Sequence, residues 1–318
     1  MTRGVLLGRF LPLHGGHVAL IRTAAALVDR LTIIVCTAPD DWPAGPTRLG
    51  WLGELAPAAR IVSLAAPSPA EWADAPAAWG AQVAALHPEP IDQLFASDPR
   101  HGAIAAALGA RFVLIDPRFE AVPVRSAAIR ARPFEQWRYL PPAVRPAYAR
   151  TICLHGPEST GKSTLAAQLA AHFDTLFVPE YGRTYCEQFG RMLAMDDLLT
   201  IGRTHAALTR ALLRQCNRRL ILDTDPLMTA VWADMMLGTR DPWFDAYDAA
   251  ADLYLLLDID LPFVDDGLRI YGGRDERRRF FDLSRAELDR RGVRYRIIGG
   301  AADQRLAGAL AAIAAAGL

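Results

Sequence analysis

The run Gly156-Pro157-Glu158-Ser159-Thr160-Gly161-Lys162-Ser163 spells G-x4-G-K-[ST]. Residue types at that spacing suit phosphate binding. The glycines let backbone N–H groups turn inward around an anion. The lysine reaches the β- and γ-phosphates, the serine hydroxyl ligates Mg2+, and the next helix points its N-terminal dipole at the charge. Gly156, Glu158, Ser159, Thr160, Gly161, Lys162, Ser163 and Thr164 are therefore nucleotide-binding candidates. An apolar strand precedes the loop and a helix-like run, Thr164 to Phe173, follows it. Lys162 is the only lysine among 35 basic residues. One ammonium kept in an arginine-rich chain marks a position where a compact, flexible charge is needed.

A phosphate loop of this kind works with an acid at a strand end. Leu220-Ile221-Leu222-Asp223-Thr224-Asp225 offers two. If the strand continues, Asp223 and Asp225 share a face. One then holds Mg2+ and the other takes a proton from a substrate hydroxyl; the rival reading is that one of them only caps the next helix. Glu180, after the apolar run Leu176-Phe177-Val178, is a second candidate base or a sugar-binding carboxylate. Arg269, Arg274, Arg277, Arg278 and Arg279 form a basic cluster able to close over a nucleotide. A solvated helix face accounts equally well for the last three.

A second constellation lies near the start, Gly8-Arg9-Phe10-Leu11-Pro12-Leu13-His14-Gly15-Gly16-His17. It follows one apolar strand and opens a helix. His14 and His17 can flank an anion at that helix N-terminus and donate to phosphate oxygens as charge builds on phosphorus. A metal site is the rival, but no third ligand stands nearby in sequence. Gly8, Arg9 and Phe10 join the nucleotide-binding candidates. Trp51, after Arg48 in a helix-like segment, suits either stacking on a ring or a place in the core.

These residues need a frame. Gly4–Leu7, Leu31–Val35, Ile61–Leu64, Ile91–Phe95 and Phe112–Ile115 read as strands with helical segments between, among them a helix from His17 to Val28. The alternation predicts an α/β parallel sheet covered on both faces. Pro133, Pro141, Pro142 and Pro146 break the rhythm and mark a domain boundary. A second series starts at Thr151–Leu154 and continues through Leu220–Leu222, Leu253–Leu257 and Tyr295–Ile298 to an Ala-rich helix from Ala301. The predicted organisation is a domain over 1–140, a Pro-rich linker over 141–150 and a P-loop domain over 151–318. Residues 67–90, rich in Ala and Pro, read as loop and helix without function.

With 318 residues, two domains are the expectation, and a chain 52% hydrophobic can fill their cores. The 35 acidic residues balance the 35 basic ones, which excludes the basic field of a general nucleic-acid binder. Cys36, Cys153, Cys186 and Cys216 are scattered, without disulfide or zinc spacing. The N-terminus is too soon interrupted by arginine for a signal peptide, and no run is long enough for a membrane helix. A cytoplasmic location without membrane or nucleic-acid partners is expected, and a homo-oligomer is left open.

The two motifs, in this order, resemble the bifunctional NMN adenylyltransferase / ribosylnicotinamide kinase family of the NadR type. Further strings carry the likeness across essentially the whole chain. They are Ser97-Asp98-Pro99, the junction from Ile129-Arg130 through Pro133-Phe134, Trp137, Tyr139, Pro141 and Val144-Arg145-Pro146, then Glu180-Tyr181-Gly182-Arg183, Asp223-Thr224-Asp225 and Asp265-Asp266-Gly267-Leu268-Arg269. The resemblance implies an HxGH nucleotidyltransferase with a Rossmann-like sheet, followed by a P-loop kinase. The kinase moves the ATP γ-phosphate to nicotinamide riboside, giving NMN. The first domain joins NMN to the α-phosphorus of a second ATP, giving NAD and pyrophosphate, with Mg2+ at both steps. It also implies catalytic roles for His14, His17, Arg130, Lys162, Asp223 and Asp225, and metal contacts from Ser163 and Asp223. Ser126, Arg269 and Arg274 are implied in nucleotide binding, and Trp51, Glu180, Tyr181 and Arg183 in substrate binding. No N-terminal operator-binding helix-turn-helix is expected.

One stretch departs from the family pattern. Val124–Arg130 keeps Arg130, but Arg125 and Ala127 stand where a hydroxyl-bearing Ser and Thr are usual. Losing one or two hydrogen bonds to phosphate costs roughly 1–3 kcal/mol. The departure motivates a rival in which the first domain senses a nucleotide without turning it over. A pantetheine-phosphate adenylyltransferase fused to a dephospho-coenzyme A kinase is the other rival.

Overall fold

The structure is a computed structural model that describes residues 1–65, 75–267 and 269–318. Residues 67–74 of the Ala/Pro stretch and Leu268 lie outside the described residues. The chain divides into two compact units, Met1–Ala147 and Tyr148–Leu318.

The first unit carries the strands β1 (Arg3–Gly8), β2 (Arg30–Thr37), β3 (Arg60–Ala65), β4 (Gln93–Ala96) and β5 (Arg111–Leu114). All pairings are parallel, in the order β3-β2-β1-β4-β5. The helices are α1 (Gly15–Leu27), α2 (Gly45–Leu55), α3 (Pro76–Leu86), α4 (His101–Ala107) and α5 (Ser126–Ala131). Val5, Leu7, Ile34, Cys36 and Leu94 pack one sheet face against Trp79, Val83 and Ile104. Central strands covered on both faces need continuous apolar runs rather than alternation, as β2 shows with six consecutive buried residues. Residues 141–147, read from sequence as linker, belong to this unit and bury Val144.

The second unit repeats the principle. Its strands are β6 (Arg150–His155), β7 (Phe177–Val178), β8 (Arg219–Asp223), β9 (Leu253–Leu257) and β10 (Tyr295–Ile298). They pair in parallel in the order β10-β9-β6-β8-β7. Helices α6 (Lys162–His172), α7 (Tyr181–Phe189), α8 (Met195–Leu213), α9 (Pro226–Leu237), α10 (Pro242–Ala246), α11 (Arg274–Arg291) and α12 (Ala302–Ala315) complete it. Ile152, Leu154 and Leu255 of the sheet meet Leu165 and Leu169 of α6 and Ile313 of α12 in one core. No helix among the described residues is long and apolar enough to cross a membrane.

Candidate functional site

In the second unit, β6 delivers the phosphate loop at the centre of its sheet. Gly156 has φ +130°, and a Cβ there would lie 2.8 Å from the Leu257 carbonyl oxygen, so only glycine fits against β9. Gly161 (φ +83°) then turns the chain into α6. The Lys162 ammonium is buried and donates to the carbonyls of Gly156 and Pro157, each at 2.9 Å. The Thr160 hydroxyl is also spent inside the loop, donating to Pro157 O at 2.9 Å. Its contribution is loop shape, not a free donor.

Asp223 ends β8 beside this loop. Burial pushes its carboxyl up to about 6, and nearby Glu180 adds to the rise; Lys162 and a hydrogen bond from the Ser163 hydroxyl work against it. One carboxylate oxygen, Oδ1, is buried without a partner. Glu180 precedes α7 and lines a cavity with the loop residues Glu158 to Thr164. Arg183 and Arg269 line the same cavity, together with the apolar side chains of Leu198, Ile201, Met228, Trp232 and Met236.

Asp225 requires a correction. Thr224 adopts φ +72°, which stops the strand, so the shared-face geometry with Asp223 does not arise. Asp225 instead caps α9, accepting from the Leu227 and Met228 amides at 3.0 and 3.2 Å. It also accepts from His155 Nε2 at 2.8 Å and from the Tyr254 hydroxyl at 2.7 Å. Burial alone would raise this carboxyl, but the imidazole of His155 and these donors hold it below the usual range. With every partner internal, Asp225 serves the fold, and it does not line the cavity.

Two other expected residues, Arg274 and Tyr181, are also placed elsewhere. Arg274 is exposed at the start of α11 and borders a separate hollow with Asp258 and Phe263. The Tyr181 ring rests edge-on to Tyr185, 6.3 Å between centroids, and is absent from the cavity wall. Glu158 lines the cavity, yet its carboxylate accepts from the backbone amides of Ile270 and Tyr271, both at 3.0 Å.

In the first unit the 8–17 segment leaves β1 next to β4, where the strand order reverses. Open α/β sheets bind ligands at such a crevice. His14 caps α1, its Nδ1 accepting from the Gly16 amide at 3.2 Å. That bond assigns the proton to Nε2, leaving an N–H donor on the outer edge of the ring. His17 stacks on His14 with centroids 3.8 Å apart. Burial lowers His14 to about 4; burial, with His14 beside it, holds His17 well below its ordinary value. Both imidazoles are therefore neutral near pH 7.

Arg130 of α5 donates to Leu11 O and Ser126 to Pro12 O at 3.4 Å, so both reach the motif loop. Arg125 lies over the Phe119 ring, 4.2 Å to the centroid. Phe10 is buried against Gly8 and edge-on to His17, so only its backbone is available to a nucleotide. Trp51 is buried in α2, which favours its core reading. Arg9 pairs with Asp41, whose other oxygen meets the fully buried Arg48 at 2.6 Å.

Comparison with known proteins adds a second line of evidence. A family model described as an AAA domain matches residues 151–305. The chain is 30% identical to the trifunctional NAD biosynthesis/regulator protein NadR of Escherichia coli (strain K12), over 92% of this chain and 78% of that protein. The NadR of Salmonella typhimurium (strain LT2) is also 30% identical, over 88% of this chain and 74% of its own. The chain belongs to the NadR family. Two solved NadR structures, one in complex with NR and one with NAD and AMP-PNP, share its fold. Each has a TM-score of 0.79 at 21% identity, covering 98% of this chain and 95% of the other.

Several residues at the two candidate sites gave no sequence signal of their own. Arg48 and Asp41 brace the motif loop from α2 and the turn after β2, at spacings that match no motif. His205 of α8 sits in the cavity wall, buried beside the backbone of Asp223. It is one helical turn from Ile201 and reads in sequence as a core position. Asp266 bridges Arg183 at 2.8 Å and Arg269 at 3.3 Å, a role visible only once α7 and the 264–271 segment meet.

Proposed function

We propose that the second unit phosphorylates nicotinamide riboside with ATP, giving NMN, and that the first unit transfers the adenylyl group of ATP to NMN, giving NAD and pyrophosphate. Family membership supports the pairing, and it favours this reading over the coenzyme A fusion. The observation that carries it is one cavity lined by the phosphate loop, Glu180 and apolar side chains that include Trp232.

In the kinase step Lys162 and the loop amides hold the transferred phosphates, with Arg269 as an added positive charge. Glu180, facing the cavity, takes the proton of the 5′-hydroxyl. Asp223 is withdrawn behind Ser163, and its unpartnered oxygen together with that hydroxyl makes a hard-oxygen pair suited to Mg2+. When bound there, Mg2+ supplies charge neutralisation at the phosphates. In the adenylyl step His14 and His17 donate as neutral imidazoles to the charge developing on the α-phosphoryl oxygens, and Arg130 adds a full charge. The engagement of Arg130 and Ser126 with the motif loop favours turnover over a purely sensing first unit.

Incubating the protein with nicotinamide riboside, Mg2+ and ATP, and resolving NMN from NAD over time, tests both halves. NMN followed by NAD is expected. No NMN removes the kinase assignment. NMN without NAD, even when NMN is supplied, removes the adenylyltransferase assignment and favours the sensor.

A further inference from the structure

Glu158 poses an electrostatic puzzle. It is a carboxylate inside a loop whose residue pattern gathers phosphate, where a negative charge repels the ligand. The structure offers a reason for its presence. Its Oε2 accepts from the Ile270 and Tyr271 amides, both at 3.0 Å. Its neighbour Ser159 makes a parallel set of bonds. The Ser159 Oγ accepts from Val264 N at 2.7 Å and from Arg269 Nη1 at 2.6 Å, and that guanidinium also reaches Val264 O. Two consecutive loop residues thus hold the segment that carries Arg269, from both sides of that arginine. Asp266 extends the connection, bridging Arg269 to Arg183 on α7, the helix that Glu180 introduces.

We propose that Glu158 is a positioning residue for phosphoryl transfer. Its carboxylate clamps the Ile270 and Tyr271 amides and so keeps the Arg269 guanidinium against the phosphate loop. Its charge is taken up by two backbone donors, and what the loop gains is an arginine anchored at fixed depth. Phosphoryl transfer depends mostly on such placed positive charge. The clamp works through hydrogen-bond acceptance, so a neutral acceptor of the same shape serves nearly as well. This proposal rests on the kinase reading for its activity test but not for its structural one.

The test compares Glu158→Gln, Glu158→Ala, Arg269→Ala and the double variant Glu158→Ala/Arg269→Ala in the full-length protein. Amide hydrogen exchange at residues 269–273, read without turnover, is expected to rise in Glu158→Ala and to stay near wild type in Glu158→Gln. For NMN formation, Glu158→Ala is expected to lower kcat about 10- to 100-fold, the scale of one charge-assisted hydrogen bond, with the KM for the riboside changed less than threefold. Glu158→Gln is expected within about threefold of wild type. The double variant is expected to match Arg269→Ala. Unchanged exchange in Glu158→Ala overturns the clamp whatever the substrate proves to be. A full additional loss in the double variant overturns action through Arg269. Failure of the wild type to make NMN while exchange behaves as expected counts against the kinase assignment and leaves the clamp standing.

Discussion

The two candidate sites occupy the same kind of place, a loop leaving a central parallel strand for a helix N-terminus, yet they meet an anion with opposite electrostatics. The second unit uses full charges. Lys162 and Asp223 are buried close together with Glu180 nearby, and the conflict shows in the raised carboxyl of Asp223. The first unit sets neutral imidazoles beside one arginine, Arg130. His14 and His17 are stacked and stripped of charge by burial, and the full charges of Arg9, Asp41 and Arg48 pair with one another beneath the loop. A terminal phosphoryl group carries concentrated charge and suits a buried ammonium. Neutral donors suit charge that appears only in the transition state, since they bind the ground state less strongly.

The largest break in this comparison should come from Lys162→Ala. NMN formation is expected to fall roughly a thousandfold, while NAD formation from supplied NMN stays within about twofold. Assaying the two products separately checks it, and a parallel loss of both would mean the sites are not independent.

Next comes the contrast between the two acids that follow β8. Asp225→Ala strips a helix cap and leaves His155, Tyr254 and two amides without their acceptor, so a loss of about 3 kcal/mol is expected in urea unfolding. Asp223→Asn should do the reverse. A carboxyl raised above its unfolded value adds nothing below the unfolded value of 3.8, becomes a growing cost as pH rises towards about 6, and a constant one above that. In metal-free buffer Asp223→Asn is therefore expected to raise Tm by roughly a few degrees at pH 8 and to leave it unchanged near pH 3. Equal destabilisation by both substitutions would erase the distinction drawn between them.

The mirror of the lysine experiment is His17→Ala, for which NAD formation from NMN should drop about a hundredfold with NMN formation intact. The finest test is a pH profile. Because burial lowers His14 to about 4 and His17 lies well below its ordinary value, kcat for NAD formation should show no imidazole limb between pH 5.5 and 8. A limb near 6.5 would restore a charged imidazole to the mechanism.

The elements were legible from sequence because a strand covered on both faces can only be a short apolar run. Leu253–Leu257 matches β9, buried throughout, residue for residue, and Tyr295–Ile298 matches the half-exposed edge strand β10. The phosphate loop was legible because its glycines answer a local demand, as the Leu257 oxygen facing Gly156 shows. Asp225 was not, since the two-residue periodicity that paired it with Asp223 holds only while backbone dihedrals stay extended, and Thr224 leaves that region. The partners of Glu158 were not legible either. Membership of the loop pattern makes it a nucleotide-binding candidate, and the amides that hold its carboxylate lie more than a hundred positions later in the chain.

Sequence alone therefore determined the two sheets, their order along the chain, the two loops that lead from a central strand into a helix, and the family. These follow from local spacing, because a strand, a turn or a helix start is dictated by neighbours a few residues away. Only the tertiary structure decided which acid faces the cavity and which is consumed as a cap, that both histidines are neutral, and that Arg269 rather than Arg274 reaches the phosphate loop. Those outcomes depend on burial and on partners brought together from distant positions, and no local pattern of residues encodes the solvent that a fold removes.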